Sequence, residues 1–492
     1  MNSALILTCI VLYSALLFLV TWLTSRNATN QSFFVGNRSS RWYVVAYGMI
    51  GASLSGVTFI SVPGAVGTGQ FAYMQVVLGY LLGYAVIAGI LLPLYYRMNL
   101  TSIYTYLEHR FGFWSYKTGA FYFILSRVIG ASFRLYVVVN VLQTFLFDSW
   151  GIPFICTVAV FILLILLYTV EGGVKTIVWT DTLQTTFMLL SVLLTIGLIA
   201  SRLHFSLFDI PGMVMNSKFS KLIFTDWRLK TFFGKQFFGG MFIAIAMTGL
   251  DQEMMQKNIS CKTLKDAQKN VLTFSGILVF INLMFLSLGV LLYIFAEKAN
   301  LSMPLRTDNL FPMVALNYLG PVSVIFFIIG LISAAYPSAD GALTALTTSF
   351  CIDMLGLKMG ENLPEKKLKR IRHIVHIGFA ILLLMLIVLF RLMNDEAVVN
   401  KLFSVAGYTY GPLLGLFTFG VFSKYQLKDR RVPLICIVSP LICYVLETHS
   451  ELWFNGYKFG FEMLILNAMI TCMGLWLIRV SNREVLITDI KD

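Results

Sequence analysis

The stretch that decides the fold reads Gly51-Ala52-Ser53-Leu54-Ser55-Gly56-Val57-Thr58, and it interrupts an otherwise apolar segment from 42 to 70. Small and hydroxylic residues here, with Pro63-Gly64 further on, predict a helix that is broken within the membrane. Irregular backbone at membrane depth is tolerated where it lines a cavity, and there its carbonyls bind cations while half-helix amino termini face anions. The alternative interpretation is a small-residue surface packed closely against another helix.

The composition indicates a membrane protein. Of the 492 residues 58% are hydrophobic and 12% are charged, and the mean hydropathy is +0.79. Because about 20 apolar residues cross a hydrocarbon core, we predict an all-α polytopic membrane protein that forms a single transmembrane domain over 1–492. Thirteen segments are predicted to span the membrane: 4–24, 42–70, 72–97, 117–146, 152–170, 175–201, 236–256, 268–297, 321–352, 372–394, 400–423, 432–448 and 459–480.

The basic residues predict the orientation of the chain. The net charge of +13 comes from 37 Lys and Arg against 24 Asp and Glu, and most basic residues share one side if the amino terminus is outside. Cytoplasmic loops are enriched in Lys and Arg, so we expect a cytoplasmic carboxyl terminus, with the segment 218–235 as an exception. The charge is thus attributed to topology and not to nucleic-acid binding.

A carboxylate occupies a second unusual position, where the polar loop 171–175 leads into an apolar helix that contains Asp181. A charged side chain at the bilayer centre costs about 2.5–3.5 kcal/mol on insertion scales, so it usually faces a protein interior or a wet cavity. Asp181 is therefore a candidate for binding an ion, a proton or the solute.

A third unusual segment, from Gly330 to Thr344, carries Pro337 among small and polar residues. Pro337 has no N–H to donate to the carbonyl of Ser333, so that oxygen is free to meet water or an ion. Carbonyl, hydroxyl and carboxylate oxygens suit a hard cation, and a second broken helix is predicted here. The alternative is a proline kink whose polar residues satisfy one another.

Several stretches, in the right order, resemble the sodium:solute symporter family, whose members share the inverted-repeat architecture of the leucine transporter. The resemblance covers nearly the whole chain. It implies an extra helix at 4–24, two five-helix repeats of opposite orientation at 42–201 and 236–423, and two helices at 432–480. The stretches that carry it are 32–38 (SFFVGNR), 101–112 (TSIYTYLEHRFG), 172–181 (GGVKTIVWTD), 251–257 (DQEMMQK) and 265–269 (KDAQK).

The resemblance also implies two cation sites. The family's sodium site corresponds to carbonyls of Gly51 and Leu54 and to the positions of Ala334, Pro337 and Ser338, where Pro337 replaces a usual serine hydroxyl. A second cation site, similar to that of bacterial sialic acid transporters, falls on Asp181, Asp340 and Gly341. Two buried acids close together need a cation or a shared proton, so sodium is expected as the coupling ion, with a proton as the alternative.

The solute is predicted from similar positions. Those that resemble the solute contacts of sialic acid transporters are Ser53, Ser55, Thr58, Gln75 and Arg134. Ser404 corresponds to a sugar-facing position of other relatives, and with Ala244 it makes a poor lining for a neutral hexose. A carboxylated sugar such as sialic acid is therefore favoured, while a small carboxylate such as proline or a vitamin acid remains open. Arg134 has an alternative role as an internal salt-bridge partner of Asp181 or Asp340, and Gln75 as a packing residue.

Other classes of protein are disfavoured. The sequence contains no HExxH, GxSxG or phosphate-loop motif, so no enzyme and no catalytic residue is expected. A channel would need polar rings along a continuous pore, whereas the polar residues of this sequence cluster at the middle of two predicted broken helices. We therefore predict a symporter that imports its solute by alternating access and acts as a monomer, with membrane lipid, the solute and sodium as its partners, in a bacterial inner membrane.

Overall fold

The computed structural model describes residues 3–25, 40–357, 364–393 and 398–480, without the side chains of 3–6, 25, 170–175, 393 and 398–401. The motif at 32–38 therefore lies outside the described residues. In the described part, β1 (Gln426–Leu427) and β2 (Arg479–Val480) form an antiparallel pair. The helices are α1 (Ser3–Ser25), α2 (Trp42–Ser53), α3 (Gly56–Gly69), α4 (Ala72–Arg97), α5 (Thr105–Arg110), α6 (Phe113–Leu142), α7 (Phe154–Arg202), α8 (Ile210–Met215), α9 (Phe233–Gly249), α10 (Gln252–Ile259), α11 (Leu264–Lys298), α12 (Leu310–Asn317), α13 (Pro321–Met354), α14 (Glu365–Met393), α15 (Val398–Phe422), α16 (Val432–Thr448), α17 (Ser450–Trp453) and α18 (Met463–Leu477).

The predicted break in the first unusual segment is confirmed. Helices α2 and α3 meet at an angle of 58° across Leu54 and Ser55. The side chain of Ser55 caps α3 by accepting a hydrogen bond from the amide of Val57 at 3.3 Å. The chain changes direction here because Ser55 offers the new helix the side-chain acceptor that its first amides lack.

The second broken helix lies elsewhere than predicted. Helix α13 continues through Pro337 from Pro321 to Met354, so the expected break near Gly330–Thr344 is wrong. The bend of 66° lies instead between α9 and α10. There Asp251 begins a new helix, and its carboxylate accepts hydrogen bonds from the amides of Glu253 and Met254 at 3.0 and 3.2 Å.

Helix α7 joins the predicted spans 152–170 and 175–201 in one 49-residue element, so its backbone is helical through the predicted loop 171–175. A straight helix of that length would measure about 74 Å, more than twice the hydrocarbon core. The two arms instead fold back beside α1. Their contacts with α1 are Tyr168 with Phe18, Thr176 with Thr24 and Phe187 with Tyr13.

Within the described residues, nine helices are long and apolar enough to cross a membrane, or eleven spans if each bent pair counts as one. Two shorter apolar helices, Phe154–Thr169 and Met463–Leu477, lie on two further predicted segments. The chain is therefore an all-α, multi-pass membrane protein. The count of thirteen crossings stays a prediction.

Helices α4 and α9 approach each other so closely that glycine is required between them. A Cβ atom on Gly79 would overlap the carbonyl oxygen of Phe237, and one on Gly83 would overlap that of Met241. Both obstacles are backbone atoms, so a larger side chain would force the two helices apart. This contact holds the first half of the second broken helix in position.

Gly79→Ala is expected to lower stability by about 1–3 kcal/mol, the usual cost of overpacking. Gly276→Ala on α11 is the matched control, because a Cβ there has no atom within 4 Å. Thermal unfolding of the purified protein in detergent measures the effect. Equal melting temperatures for the two variants would contradict the close packing of α4 and α9.

Candidate functional site

A cavity of about 70 Å³ lies where the two broken helices meet. Its wall includes the break between α2 and α3 and the last turns of α9, together with side chains from α4, α6, α10, α11 and α15. Serine and threonine hydroxyls, tyrosine hydroxyls and one guanidinium make this wall more polar than the apolar helices around it. The side chains that line it are Ser53, Leu54, Ser55, Val57, Thr58, Tyr73, Tyr80, Tyr84, Arg134, Ile243, Ala244, Met247, Thr248, Met254, Leu278, Asn282, Leu402 and Phe403.

Four of the six predicted solute contacts share this cavity: Ser53, Ser55, Thr58 and Arg134. Gln75 is not among its lining residues. Its amide nitrogen instead donates to the carbonyls of Ala72 and Thr231 at 3.3 and 3.1 Å, which is the packing role that the sequence left open.

Ser404 is exposed and lines a second cavity of about 550 Å³ instead. This larger cavity lies at the far end of α3 and also contains Lys230 and Arg306. Tyr73 lines both cavities, so it stands between them. Ser404 is therefore placed on the approach to the inner cavity and not in its wall.

Arg134 is the cationic side chain of the inner cavity. It is 92% buried, and its Nη1 atom has no hydrogen-bond partner. In the described part of the chain it forms no ion pair, so the alternative of a salt bridge with Asp181 or Asp340 is not realised. A buried guanidinium with a free N–H is suited to a carboxylate, which it can bind through two parallel hydrogen bonds.

The residues of the predicted sodium site lie at the break of α2 and in the middle of α13. Among the described residues, no backbone N–H outside the regular helices donates to the carbonyls of Gly51 or Leu54. The hydroxyl oxygen of Ser338 is fully buried and has no hydrogen-bond partner. These oxygens fit a hard cation, which binds carbonyl and hydroxyl oxygens. Ala334 and Pro337 are also fully enclosed in this part of α13.

The predicted second cation site contains a cation of the protein itself. Asp181 is fully buried, and its Oδ2 atom accepts a hydrogen bond from the ammonium of Lys257 at 2.7 Å. Lys257 also lies 3.1 Å from Oε1 of Glu253, one helical turn earlier on α10. The sequence did not predict this pairing, although Lys257 belongs to a stretch that carries the family resemblance.

Asp340 is buried close to this pair but has different partners. One of its oxygens accepts a hydrogen bond from the hydroxyl of Tyr168 at 2.9 Å, and the other accepts one from the amide of Gly341 at 2.5 Å. Both donors are neutral. Asp340 therefore carries no ion pair within the described residues, in contrast to Asp181.

A buried ionic network continues from Glu253 to helix α6. Arg127 pairs with Glu253, and it lies 3.5 Å from Asp251, the residue that caps α10. The hydroxyl of Tyr410 on α15 donates to the same Asp251 carboxylate at 2.9 Å. This network ties the second broken helix to α6 and α15.

Sequence reasoning missed the aromatic part of the cavity. Tyr73, Tyr80 and Tyr84 line it from α4. Their spacing of seven and four residues places them on one face of a helix, and this spacing was the available signal. A second signal was Asn282, a polar residue in the middle of an apolar helix.

Two broken helices around a central polar cavity, in a multi-pass helical bundle, define a secondary transporter of the leucine-transporter type. The sodium:solute symporter family model matches residues 33–427. The chain belongs to this family of transporters.

The chain is similar to two characterised kinds of symporter. It is 24% identical over 456 residues to the sodium/sialic acid symporter of Proteus mirabilis, covering 90% of this chain and 89% of the relative. It is 25% identical to the mouse sodium-coupled monocarboxylate transporter 1, covering 80% of this chain and 64% of the relative.

Solved structures show the same fold. A substrate-bound, outward-open sodium-coupled sialic acid symporter superimposes with a TM-score of 0.81 at 20% identity, over 96% of this chain and 97% of that one. The nucleobase-cation-symport-1 transporter Mhp1, closed around bromovinylhydantoin, superimposes with a TM-score of 0.54 at 14% identity, over 91% of this chain and 93% of that one.

Proposed function

We propose that this protein is a sodium-coupled symporter that imports a carboxylated solute, with a sugar acid such as sialic acid as the first candidate. The observation that carries the proposal is the Arg134 guanidinium, which is buried in the wall of the cavity with an unpartnered N–H. A buried unpaired donor is costly, and a solute carboxylate would satisfy it. The similarity to sialic acid symporters supports the same class of solute.

The anion would also face the amino terminus of α3. The first amides of this half-helix point towards the break, where Ser55 and Thr58 line the cavity. Such an end favours negative charge because its N–H groups lack partners within the helix. Arg134 and α3 together thus provide a charge and oriented amides for one carboxylate.

Sodium would bind on the other side of the break, to carbonyls of Gly51 and Leu54 and to α13 at Ala334, Pro337 and Ser338. It would hold α2 against α13 and so favour the arrangement of the break that binds the solute. This is thermodynamic linkage, and it requires the solute to tighten sodium binding by the same factor. Alternating access would then expose the loaded site to the other side of the membrane.

Ser338→Ala is expected to raise the sodium concentration for half-maximal uptake about tenfold, which corresponds to the loss of one ligand worth about 1.4 kcal/mol. Stability without sodium should not change, because the Ser338 hydroxyl has no hydrogen-bond partner in the protein. Ser287→Ala on α11 is the control, since that exposed hydroxyl bonds only to the Leu283 carbonyl of its own helix. An unchanged sodium dependence of Ser338→Ala would exclude Ser338 as a ligand.

A small monocarboxylate is the second candidate solute, and the size of the cavity favours it. A volume of about 70 Å³ is far below the roughly 300–1,000 Å³ of typical ligand pockets. A sugar acid would require the Tyr73 side of the cavity to open, whereas a compound of a few carbon atoms would need a smaller change. The similarity to a monocarboxylate transporter agrees with this alternative.

Uptake into liposomes tests the proposal. The purified protein is reconstituted, and labelled sialic acid, lactate, proline and glucose are offered with a sodium gradient or with choline in its place. We expect sodium-dependent accumulation of a carboxylated solute and none of glucose. Uptake that is independent of sodium and follows a pH gradient would show proton coupling instead, and accumulation of glucose alone would exclude the role of Arg134.

The chain would comprise two inverted repeats, 42–201 and 236–423, and the position of a broken helix at the start of each supports this division. The amino terminus would be outside, the carboxyl terminus cytoplasmic and the membrane a bacterial inner membrane. The protein would work as a monomer.

A further inference from the structure

We infer that the ammonium group of Lys257 takes the place of a second sodium ion between Asp181 and Asp340, so that each solute is accompanied by one sodium ion. The inference rests on the proposed sodium-coupled symport. It concerns the stoichiometry of coupling and assigns Lys257 as the residue that determines it.

Lys257 contacts two buried carboxylates. The Lys257 nitrogen lies 2.7 Å from the Asp181 carboxylate and 3.1 Å from the Glu253 carboxylate, and all three side chains are at least 97% buried. Asp340 adjoins this group, because the Glu253 oxygen that binds Lys257 lies against Gly341, the next residue along the chain. The ammonium therefore occupies the Asp181 side of the predicted site.

The space beside Gly341 is already filled by Glu253. Gly341 is one of the positions predicted for the second cation site, but the Glu253 carboxylate lies against it, and a Cβ on Gly341 would overlap Oε1 of Glu253. That oxygen is the one that holds Lys257. A sodium ion at this position would have to displace either the Glu253 carboxylate or the Lys257 ammonium, which contact each other here.

Two basic side chains of the protein lie among these buried acids. Lys257 and Arg127 together neutralise Asp181 and Glu253, and Arg127 lies close to Asp251 as well. A sodium ion bound to the same oxygen atoms as Lys257 would be repelled by it at short range, and repulsion is strong in a buried, poorly solvated place. Asp181 thus already has the counter-ion that the sequence expected sodium to supply.

The coupling ratio of the unmodified protein is the decisive measurement. Liposomes are held at zero membrane potential and given a tenfold sodium gradient, and the highest solute accumulation is recorded. One sodium ion per solute limits accumulation to about tenfold, whereas two ions permit about a hundredfold. The measurement needs no variant, so it stands even if a substitution at Lys257 prevents folding.

Three variants test the role of Lys257 itself. Lys257→Met removes the ammonium and keeps a similar side-chain volume. Sodium is expected to stabilise this variant more than it stabilises the unmodified protein, because Asp181 no longer has a cationic partner. Lys257→Met combined with Asp181→Asn should lose that additional stabilisation. Lys257→Arg retains the charge and should keep the unmodified coupling ratio.

The outcomes separate the two proposals. Accumulation near tenfold, with extra sodium stabilisation in Lys257→Met alone, supports the inference. Accumulation that approaches a hundredfold in the unmodified protein overturns it and leaves sodium symport intact. The absence of sodium-driven accumulation for all carboxylated solutes overturns the proposed function itself.

Discussion

Replacing Arg134 with Met is expected to weaken solute binding roughly 10- to 100-fold, because hydrogen bonds to a charged group contribute about 1.5–3 kcal/mol. Arg134 lines the inner cavity, and its Nη1 atom is buried without a partner. Removing it therefore deprives a carboxylated solute of its counter-charge. The concentration for half-maximal uptake at saturating sodium measures the loss.

Folding should survive this substitution. Arg134 has no ion pair in the described part of the chain, so Met leaves no buried acid without a partner. Arg134→Lys keeps the charge but loses the planar fork and should fall between the unmodified protein and Arg134→Met. Unchanged uptake in Arg134→Met, with unchanged stability, would exclude the arginine as a solute contact.

The sequence was most informative where the cause of a structure is local. The run from Gly51 to Thr58 lacks the large apolar side chains of a lipid-facing helix, and Ser55 is a strong helix cap, so the break could be predicted. Ser53, Ser55, Thr58 and Arg134 could be assigned to one site because the resemblance fixed their positions. The cavity that they share agrees with that assignment.

The wrong predictions share a physical cause, because each depended on the tertiary surroundings of a residue and not on its local sequence. Pro337 suggested a break, but a proline within a membrane helix is tolerated when neighbouring groups satisfy the freed carbonyl. The real second break, at Asp251, has no run of small residues, and its signal was a single acidic cap residue in front of Glu253. A single capping residue is a weak indication of a helix break within a long apolar segment.

For the same reason, the sequence could not predict which buried charged side chains pair with each other. Asp181 and Lys257 are separated by 76 positions, and Arg127 is further still from Glu253. The sequence established that each charge needs a partner, because an unpaired charge inside a membrane is expensive. Only the tertiary packing of α6, α7 and α10 determines which partners meet, and it gave Asp181 a lysine where sodium was expected.

Replacing Arg127 with Met is expected to destabilise the fold by about 3–5 kcal/mol, the usual cost of removing one partner from a buried ion pair. Arg127 and Arg134 lie on the same helix, two turns apart, so the two substitutions are chemically matched. They differ in that Arg127 pairs with Glu253 and contacts Asp251, at the start of the second broken helix. Arg127→Met should therefore lower the melting temperature in detergent and the yield of monodisperse protein, whereas Arg134→Met should reduce only binding.

The double variant Arg127→Met, Glu253→Gln identifies the cause of this loss. Neutralising Glu253 removes the uncompensated charge, so part of the stability should return even though both ionic groups are gone. The remaining deficit reports on Asp251, which keeps the hydroxyl of Tyr410 as a donor but loses its cation. A double variant less stable than Arg127→Met alone would show that Glu253 stabilises the fold mainly through Lys257, and the network would then be centred on α10 and not on its link to α6.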